Sequence, residues 1–408
     1  MKVFLADKLA ERGVQALTEA GHTVVVEPKV SGETLLEALR QAQPHVLVVR
    51  STKVNSAMMD ANPNLELVVR AGAGYDTIDV AGASQRGIFV ANCPGKNAAA
   101  VAELTTALIL ALDRRIPDNV NDARAGHWNK ATYSKAQGVK GRTLGIVGIG
   151  NIGKAVIRRA HGLGMRVVAW SRSLTEAQAD ALGVAYKASP QEVAAAADVV
   201  SLHVASTPET RRLADRAFFE AMKPGAFFIN TTRGSVVDEA ALRWAMDEKG
   251  IRAALDVFEG EPSYKEGALD LPLAQHPNVY LTHHIGASTQ QAQDATAAEA
   301  ARIINTYAET GHVPNCVNME AHSPATHLLT VRHLDKVGVL AAVLDEVRKA
   351  NWNVQEMENL VFAGAKAACA RIRFNGVPSD AVVARINGHQ DVLAASLIPL
   401  PGEAATIA

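Results

Sequence analysis

Side chains that could exchange a proton or bind a carboxylate stand near the ends of three apolar segments. Arg233 stands three residues after AFFIN, Asp256 and Glu261 lie in AALDVFEGEP, and His283 and His284 follow VYLT. A guanidinium can bind a carboxylate through two hydrogen bonds, and a carboxylate can orient an imidazole and stabilise its protonated form. Imidazole is also the commonest general acid or base. These segments predict an acid–base site if the fold brings them together.

The two adjacent histidines are not equivalent candidates. Neighbouring side chains of an extended segment point to opposite sides, so only one of His283 and His284 can face Glu261. Residue type alone leaves both open.

A glycine pattern predicts a dinucleotide site. The segment TLGIVGIGNIGKAVIRRA places Gly148, Gly150 and Gly153 between an apolar run and a helical one. Glycines there allow a tight turn and close approach of a pyrophosphate, whose charge is stabilised by the helix N-terminus. The residues expected to hold the nucleotide at this turn are Gly148, Gly150, Asn151, Ile152 and Gly153.

The segment after RVVAW bears on the choice between NAD and NADP. Ser171, Arg172 and Ser173 stand where an Asp or Glu would bind the ribose 2′-hydroxyl of NAD. Arg172 could bind the 2′-phosphate of NADP, stack on adenine, or simply be solvated. The expected cofactor is therefore NAD or NADP.

The elements that must position these residues follow from alternation along the chain. Short β-rich runs alternate with helical runs up to about Thr289, which predicts an α/β protein with two doubly wound parallel-sheet domains. The carboxyl ends of parallel strands form the ligand crevice, so the candidate residues should converge there. A long helix beginning after Asn97, a plausible N-cap, should connect the two domains. After a Pro-containing linker from Val313 to about Ala325, the order βαββαβ predicts a ferredoxin-like sandwich.

Composition limits the classes of function. The 408 residues carry a formal net charge of −1, so no global field favours nucleic acid or an anionic membrane. The three cysteines are widely spaced, which suits neither a disulfide framework nor a zinc site, and no metal site is expected. No apolar run reaches about 18 residues and no cleavable leader is evident, so we expect a soluble, cytoplasmic protein.

The motifs together resemble one enzyme family. RAGAGYDTID, GIGNIG, NTTRGSVVDEAAL, LDVFEGEP and HHIGAST resemble segments of the D-isomer-specific 2-hydroxyacid dehydrogenases, over roughly residues 1–317. The resemblance implies that Arg233 binds the substrate carboxylate and that Glu261 pairs with His284, which exchanges the proton of the 2-hydroxyl. His283 stands where the family usually has proline, and Asp256 would face the nicotinamide.

The resemblance also implies an architecture in which a nucleotide domain is inserted into a discontinuous substrate domain. A flavodoxin-like substrate domain would comprise residues 1–97 and 288–317, and a Rossmann nucleotide domain residues 98–287. The tail, residues 326–408, resembles an ACT regulatory domain.

A dehydrogenase followed by an ACT domain resembles the short bacterial D-3-phosphoglycerate dehydrogenases, so 3-phosphoglycerate and 3-phosphohydroxypyruvate are the expected substrates. The expected substrate-binding residues are Arg50, Ser51, Lys53, Arg70 and Gly74. In the tail, His333, Asp335 and Asn353 match effector positions, with serine as the possible effector and a homodimer or homotetramer as the expected assembly. Asp335 and Val337 depart from the usual pattern, which leaves the effector open.

Two other functions remain compatible with the sequence. A glyoxylate or hydroxypyruvate reductase would use the same Arg, Glu and His, and the Ser-Arg-Ser segment suits its frequent use of NADP. A nucleotide-sensing binding protein, similar to the dehydrogenase-like transcriptional corepressors, could also retain the three residues. The tail and the additional cations favour the phosphorylated substrate.

Overall fold

The computed structural model describes residues 1–262, 267–320 and 323–400. The described chain divides into two compact units, Met1–Asn318 and Met319–Ala408. The predicted linker and the predicted tail domain each include residues outside the described ranges, 321–322 and 401–408.

The first sheet is parallel throughout and has the strand order β2-β1-β3-β4-β5. This is the doubly wound order of the flavodoxin type. Its central strands are short runs of Val and Leu buried on both faces, as expected where helices cover a parallel sheet. The elements are β1 (Lys2–Leu5), α1 (Glu11–Glu19), β2 (Thr23–Val26), α2 (Glu33–Ala42), β3 (Val46–Val49), α3 (Ser56–Asp60), β4 (Leu67–Arg70), α4 (Val80–Gln85) and β5 (Phe89–Asn92).

The second sheet is also parallel, with the order β12-β11-β10-β9-β6-β7-β8. The strand order reverses beside β6, which is where a doubly wound sheet opens a ligand crevice. The elements that precede and build it are α5 (Ala98–Arg114), α6 (Ile116–Arg124), α7 (Lys130–Tyr133), β6 (Thr143–Val147), α8 (Asn151–Gly162), β7 (Arg166–Trp170), α9 (Glu176–Ala181), β8 (Ala185–Tyr186), α10 (Pro190–Ala196), β9 (Val199–Leu202), α11 (Arg216–Ala221), β10 (Phe227–Asn230), α12 (Glu239–Lys249), β11 (Arg252–Leu255) and β12 (Val279–Leu281).

Two long helices connect the sheets. The helix α5 packs on α8, β10 and β11, and α13 (Gln290–Thr310) returns to pack on α1. Ala297, Ala300, Ile303 and Ile304 of α13 belong to the apolar core on one face of the first sheet. The chain then runs beside β5, where the Val317 N–H donates to the Val90 carbonyl at 2.8 Å.

The second unit is an antiparallel sheet of order β14-β15-β13-β16 with two helices. Trp352 stacks on Phe374 with ring centroids 4.1 Å apart, at the centre of its apolar core. Along the chain the order is βαββαβ, as predicted: β13 (His327–Leu334), α14 (Val339–Lys349), β14 (Asn353–Val361), β15 (Ala367–Asn375), α15 (Asp380–Asn387) and β16 (Val392–Pro399). In neither unit does a described helix combine the length and apolarity needed to cross a membrane.

Candidate active site

A cavity of about 220 Å³ lies where the carboxyl ends of β1, β3 and β4 meet the segment before α13. Its lining contains the cations Lys8, Arg50 and Arg70, the amide Asn97, and His284. No Asp or Glu is among the described residues that line it. The cavity is therefore shaped and charged for a small anion.

His284 is the histidine that meets Glu261. Its Nδ1 lies 2.8 Å from Glu261 Oε2, while Glu261 Oε1 accepts the Phe258 N–H at 3.2 Å. His284 has a left-handed φ of 52°, which is uncommon for a residue with a side chain. The turn breaks the simple alternation of a strand, so alternation alone could not decide between His283 and His284, whereas the family resemblance implied His284.

A buried carboxylate holds the segment that carries His284. Asp256 is 1% exposed, and it accepts the Thr282 hydroxyl at 2.6 Å, the Ile285 N–H at 2.9 Å and the Gly286 N–H at 2.8 Å. Its backbone carbonyl accepts the His284 N–H at 3.0 Å. Both oxygens of Asp256 thus bind the 282–286 turn. The expected contact of Asp256 with nicotinamide stays a prediction, and its observed partners show an anchoring role that the sequence did not suggest.

Arg233 already has a carboxylate partner from the first sheet. Its Nε and Nη2 donate to Asp76 at 3.2 and 3.0 Å, and its Nη1 donates to the Thr232 carbonyl at 2.8 Å. Burial opposes ionisation of Asp76, but the hydrogen bonds and charge of Arg233 outweigh it and hold the pKa of Asp76 below its usual value. Gly74 leaves room for this pair, because a Cβ there would lie 2.2 Å from Arg233 Nη2. Asp76 belongs to the motif RAGAGYDTID, but its partner Arg233 is far away in the sequence. The motif therefore did not reveal this ion pair.

Arg70 and Arg50 place positive charge in the cavity without matching carboxylates. Burial, together with the charges of Arg233 and Arg50, lowers the pKa of Arg70 to about 10, and its Nε is buried without a hydrogen-bond partner. The turn that presents Arg50 is held by Asp7, whose carboxylate accepts the N–H groups of residues 50, 51 and 52 at 2.7, 3.0 and 2.9 Å. The Ser51 hydroxyl also lies 3.3 Å from Asp7. Lys53, predicted to bind substrate, is exposed and lies outside the cavity lining.

Two cavity residues escaped the sequence analysis. Lys8 follows the end of β1 just as Arg50 follows β3, so the strand-end rule could have found it. Asn97 was expected to cap α5, but its side chain makes no cap hydrogen bond and its Oδ1 is buried without a partner in the cavity wall. Because the Asn97 side chain does not cap α5, its Oδ1 is available to accept a hydrogen bond from a ligand.

The glycine turn fits a dinucleotide. Gly148 has φ 102°, and a Cβ there would lie 2.6 Å from the His203 carbonyl oxygen; one on Gly153 would lie 2.2 Å from the Gly148 carbonyl oxygen. At Gly150 a Cβ would meet only open space, and α8 begins at Asn151 without a side-chain cap. The first N–H groups of α8, including those of Ile152 and Gly153, have no partner within the helix and face room for a pyrophosphate.

The Ser-Arg-Ser segment follows β7 as predicted. Ser171 is half-buried, while Arg172 and Ser173 are exposed. A carboxylate does lie nearby, on a turn after β9: hydrogen bonding from Thr207 and, more weakly, the charge of Arg172 lower the pKa of Glu209. That carboxylate comes from a distant part of the sequence, so the local motif did not reveal it.

In the second unit, the three predicted effector residues have different surroundings. His333 is 1% exposed; its Nδ1 lies 2.7 Å from the Leu334 carbonyl and its Nε2 3.1 Å from Asn359 Oδ1. Asp335 and Asn353 are exposed. His333 is therefore already bonded within the unit, and the other two are free to meet solvent.

Comparison with known proteins places these features in a family. The family model described as D-isomer specific 2-hydroxyacid dehydrogenase, NAD binding domain, matches residues 106–286. D-3-phosphoglycerate dehydrogenase of Methanocaldococcus jannaschii is 38% identical over 321 residues, which are 78% of this chain and 60% of that protein. The enzyme of the same name from Mycobacterium bovis is 36% identical over 389 residues, covering 93% of this chain and 71% of its own.

A solved structure shows the same arrangement of the larger unit. The NAD⁺-bound 3-phosphoglycerate dehydrogenase of Entamoeba histolytica superimposes with a TM-score of 0.65 at 27% identity, covering 78% of this chain and 99% of that one.

Proposed function

Because this chain belongs to the D-isomer-specific 2-hydroxyacid dehydrogenase family, we propose that it reversibly oxidises 3-phosphoglycerate to 3-phosphohydroxypyruvate with NAD or NADP. The observation that carries this proposal is the cavity that joins His284 to three cations. The relatives named D-3-phosphoglycerate dehydrogenase support the same substrate.

The proposed site combines a hydride carrier with an acid–base pair. The dinucleotide, held at the turn from Gly148 to Gly153, supplies the hydride chemistry when bound. Since Nδ1 of His284 is bonded to Glu261, its Nε2 is left to face the substrate oxygen. In reduction Nε2–H gives its proton to the 2-keto oxygen, and in oxidation Nε2 takes the proton of the 2-hydroxyl. The negative charge of Glu261 stabilises the protonated imidazole.

Arg233 would bind the substrate carboxylate while Asp76 fixes the plane of its guanidinium. An arginine has five N–H donors, so it can retain one carboxylate and still bind a second. Gly74 leaves the approach to Arg233 open.

The phosphate would lie against Lys8, Arg50 and Arg70. A substrate with only a carboxylate, such as glyoxylate, leaves these cations unbalanced, whereas a phosphate adds a charge of about −1.5 to −2 at neutral pH. The unpartnered Nε of Arg70 and Oδ1 of Asn97 are further groups that a polar ligand would satisfy.

The second unit would be an ACT regulatory module, with serine as its effector and His333, Asp335 and Asn353 near the binding site. The βαββαβ order and the exposed position of Asp335 and Asn353 support this assignment. Two such sheets pairing across a homodimer would bury their exposed edges.

Initial rates of NADH and NADPH oxidation with 3-phosphohydroxypyruvate, hydroxypyruvate and glyoxylate test the substrate. Lys8→Met should raise KM for 3-phosphohydroxypyruvate by about ten- to a hundredfold, the worth of a hydrogen bond to a charged group, and leave KM for hydroxypyruvate nearly unchanged. Lys53→Met is the matched control, because this exposed lysine lies outside the cavity. Equal losses with both substrates, or faster turnover of glyoxylate by the unmodified protein, would contradict the proposal.

A further inference from the structure

A second cavity, of about 280 Å³, lies at the amino edge of the second sheet. Arg142 directly precedes β6, Arg252 begins β11, and Gly225 precedes β10, whereas the glycine turn follows the carboxyl end of β6. The cavity is completed by Arg114 and Arg115 at the end of α5 and by the segment 132–137. It is therefore at the opposite edge of the sheet from the nucleotide and His284.

The charges that line this cavity are not balanced. Five cations, Arg114, Arg115, Lys135, Arg142 and Arg252, face one acidic residue, Asp113. Asp113 is itself shared, because it accepts the Gly138 N–H at 3.1 Å and lies 3.5 Å from an Arg142 Nη1. Arg115 pairs with Asp118 at 2.9 Å, and the same carboxylate also accepts the Tyr280 hydroxyl at 2.8 Å.

Arg252 is the cation whose surroundings most clearly favour a bound anion. It is half-buried, and its donors reach only neutral acceptors, the Leu112 carbonyl and the Tyr280 hydroxyl, the latter at 3.1 Å. No carboxylate of the described chain forms an ion pair with Arg252, Arg114 or Lys135. Burial lowers the pKa of Arg252 and the charge of Arg115 adds to this effect, while the charge of the more distant Asp118 only partly opposes it.

Aromatic rings hold the guanidinium groups in place before any ligand arrives. Arg142 lies over the Phe227 ring at 4.5 Å and Arg252 lies 5.7 Å from the same ring. Arg115 lies 5.6 Å from the Tyr133 ring. Stacked guanidinium groups keep their N–H donors directed sideways, which suits bidentate binding of phosphate oxygens.

We propose that this amino-edge cavity is a second anion site, which binds a small phosphate-bearing metabolite through Arg114, Arg115, Lys135, Arg142 and Arg252. Phosphate is the favoured chemistry because several cations converge on a small volume, and a single carboxylate would leave most of them unpaired. The site is independent of the proposed reaction, since none of these residues lines the His284 cavity.

Calorimetric titration of the full chain with inorganic pyrophosphate tests the site. With the glycine turn occupied by saturating NADH, the unmodified protein should show two classes of binding, one in each cavity. Arg114→Ala with Lys135→Ala should weaken one class at least tenfold and leave the reductase kcat and thermal midpoint unchanged, because both side chains are exposed and outside ion pairs. Lys8→Met should weaken only the other class.

The matched control removes two exposed cations from the same domain, Lys140→Ala with Arg166→Ala, and should leave both classes intact. Arg252→Gln provides a second test of the weakened class, with folding checked by circular dichroism. The proposal fails if the unmodified protein has a single class that is lost in Lys8→Met, or if the Arg114 and Lys135 changes match the control. Loss of turnover in the Arg114 and Lys135 variant would contradict the independence of this site, whereas absence of turnover of 3-phosphohydroxypyruvate by the unmodified protein would contradict only the proposed function.

Discussion

At the scale of single residues, the site depends on a histidine held in an unfavourable backbone conformation. His284 adopts a left-handed φ of 52° and its Nδ1 lies 2.8 Å from Glu261 Oε2. A non-glycine residue in this region costs about 1 to 3 kcal/mol, so the surrounding bonds must stabilise it. That turn is what brings His284, and not His283, to Glu261.

Replacing His284 tests the proton transfer. His284→Gln should lower kcat by about 10²- to 10⁴-fold, because glutamine retains a polar side chain but cannot exchange the proton. His283→Gln is the paired control and should change kcat by less than about threefold. Steady-state kinetics with a reducible 2-keto acid provide the measurement, and a severe effect at His283 with a mild one at His284 would reverse the assignment.

Replacing Arg172 tests the choice of nucleotide. Arg172→Ala should reduce kcat/KM for NADPH by at least about tenfold and change kcat/KM for NADH little, since only NADPH carries a 2′-phosphate for the guanidinium to bind. Arg166→Ala, at the other end of β7, removes a similarly exposed charge as a control. A hundredfold preference of the unmodified enzyme for NADH would show that Arg172 does not bind the phosphate and would leave Glu209 as the nearby carboxylate.

At the scale of elements, hydrogen bonds join the turn 282–286 to Asp256, which follows β11. Asp256 receives three hydrogen bonds from this turn while fully buried, so it fixes the position from which His284 acts. The parallel sheet supplies the register that places the ends of β10, β11 and β12 side by side.

Asp256→Asn should therefore damage both stability and turnover. The change removes the charge and leaves an amide opposite two N–H donors, at a cost of about 1.5 to 3 kcal/mol per lost charged hydrogen bond. Urea unfolding measures the stability, and kcat measures the misplacement of His284. Thr282→Val removes one of the three bonds to the charged carboxylate and should cost about 1.5 to 3 kcal/mol, so an Asp256→Asn loss no larger than that of Thr282→Val would deny the anchoring role.

At the scale of the whole molecule, buried His203 couples stability to pH. Its Nε2 lies 3.0 Å from the Ser201 hydroxyl, its Nδ1 has no partner, and burial lowers its pKa to about 3. The unfolded chain binds a proton at this side chain below about pH 6.5, whereas the folded chain does not until about pH 3. The contribution of neutral His203 to the free energy of unfolding is therefore fully present above about pH 6.5. Between about pH 6.5 and pH 3 it is lost at about 1.4 kcal/mol per pH unit.

His203→Gln should flatten that dependence. The unfolding free energy of both proteins is compared between about pH 6.5 and 5. The decrease in the variant should be smaller than the decrease in the unmodified protein, and the difference between the two decreases should be about 2 kcal/mol. Urea midpoints across this range provide the comparison, and exposed His312→Gln should retain the original slope. Parallel curves for His203→Gln and the unmodified protein would show that this side chain does not titrate on unfolding.

Removing the second unit tests the proposed regulation. A chain ending at Met319 keeps the bonds of Val317 and Asn318 to β5, including Asn318 Oδ1 with the Val90 N–H at 2.8 Å, so the larger unit should fold and retain kcat. The full chain should respond to millimolar serine and the shortened chain should not. Ending the chain at Gly311 instead removes these bonds and should lower the thermal midpoint. Serine inhibition of the shortened chain would place the effector site elsewhere.

The linear sequence was enough to predict the two parallel sheets, the glycine turn and the positions of Arg233, Glu261 and the histidines near strand ends. These features depend on local periodicity and on the rule that parallel strands end at one edge, and both are visible in a linear pattern. The same strand-end rule applies to Lys8, which follows β1 but was not predicted as a ligand-binding residue.

Which side chains contact one another became visible in the folded chain. The pairing of Asp76 with Arg233, the approach of Glu209 to Arg172 and the clustering of Arg114, Arg142 and Arg252 each join residues far apart in the chain. The sequence did not suggest that both oxygens of Asp256 accept bonds from the turn that carries His284. Charge pairing and hydrogen bonding act over a few ångströms, so they depend on how separate segments pack, which periodicity does not specify.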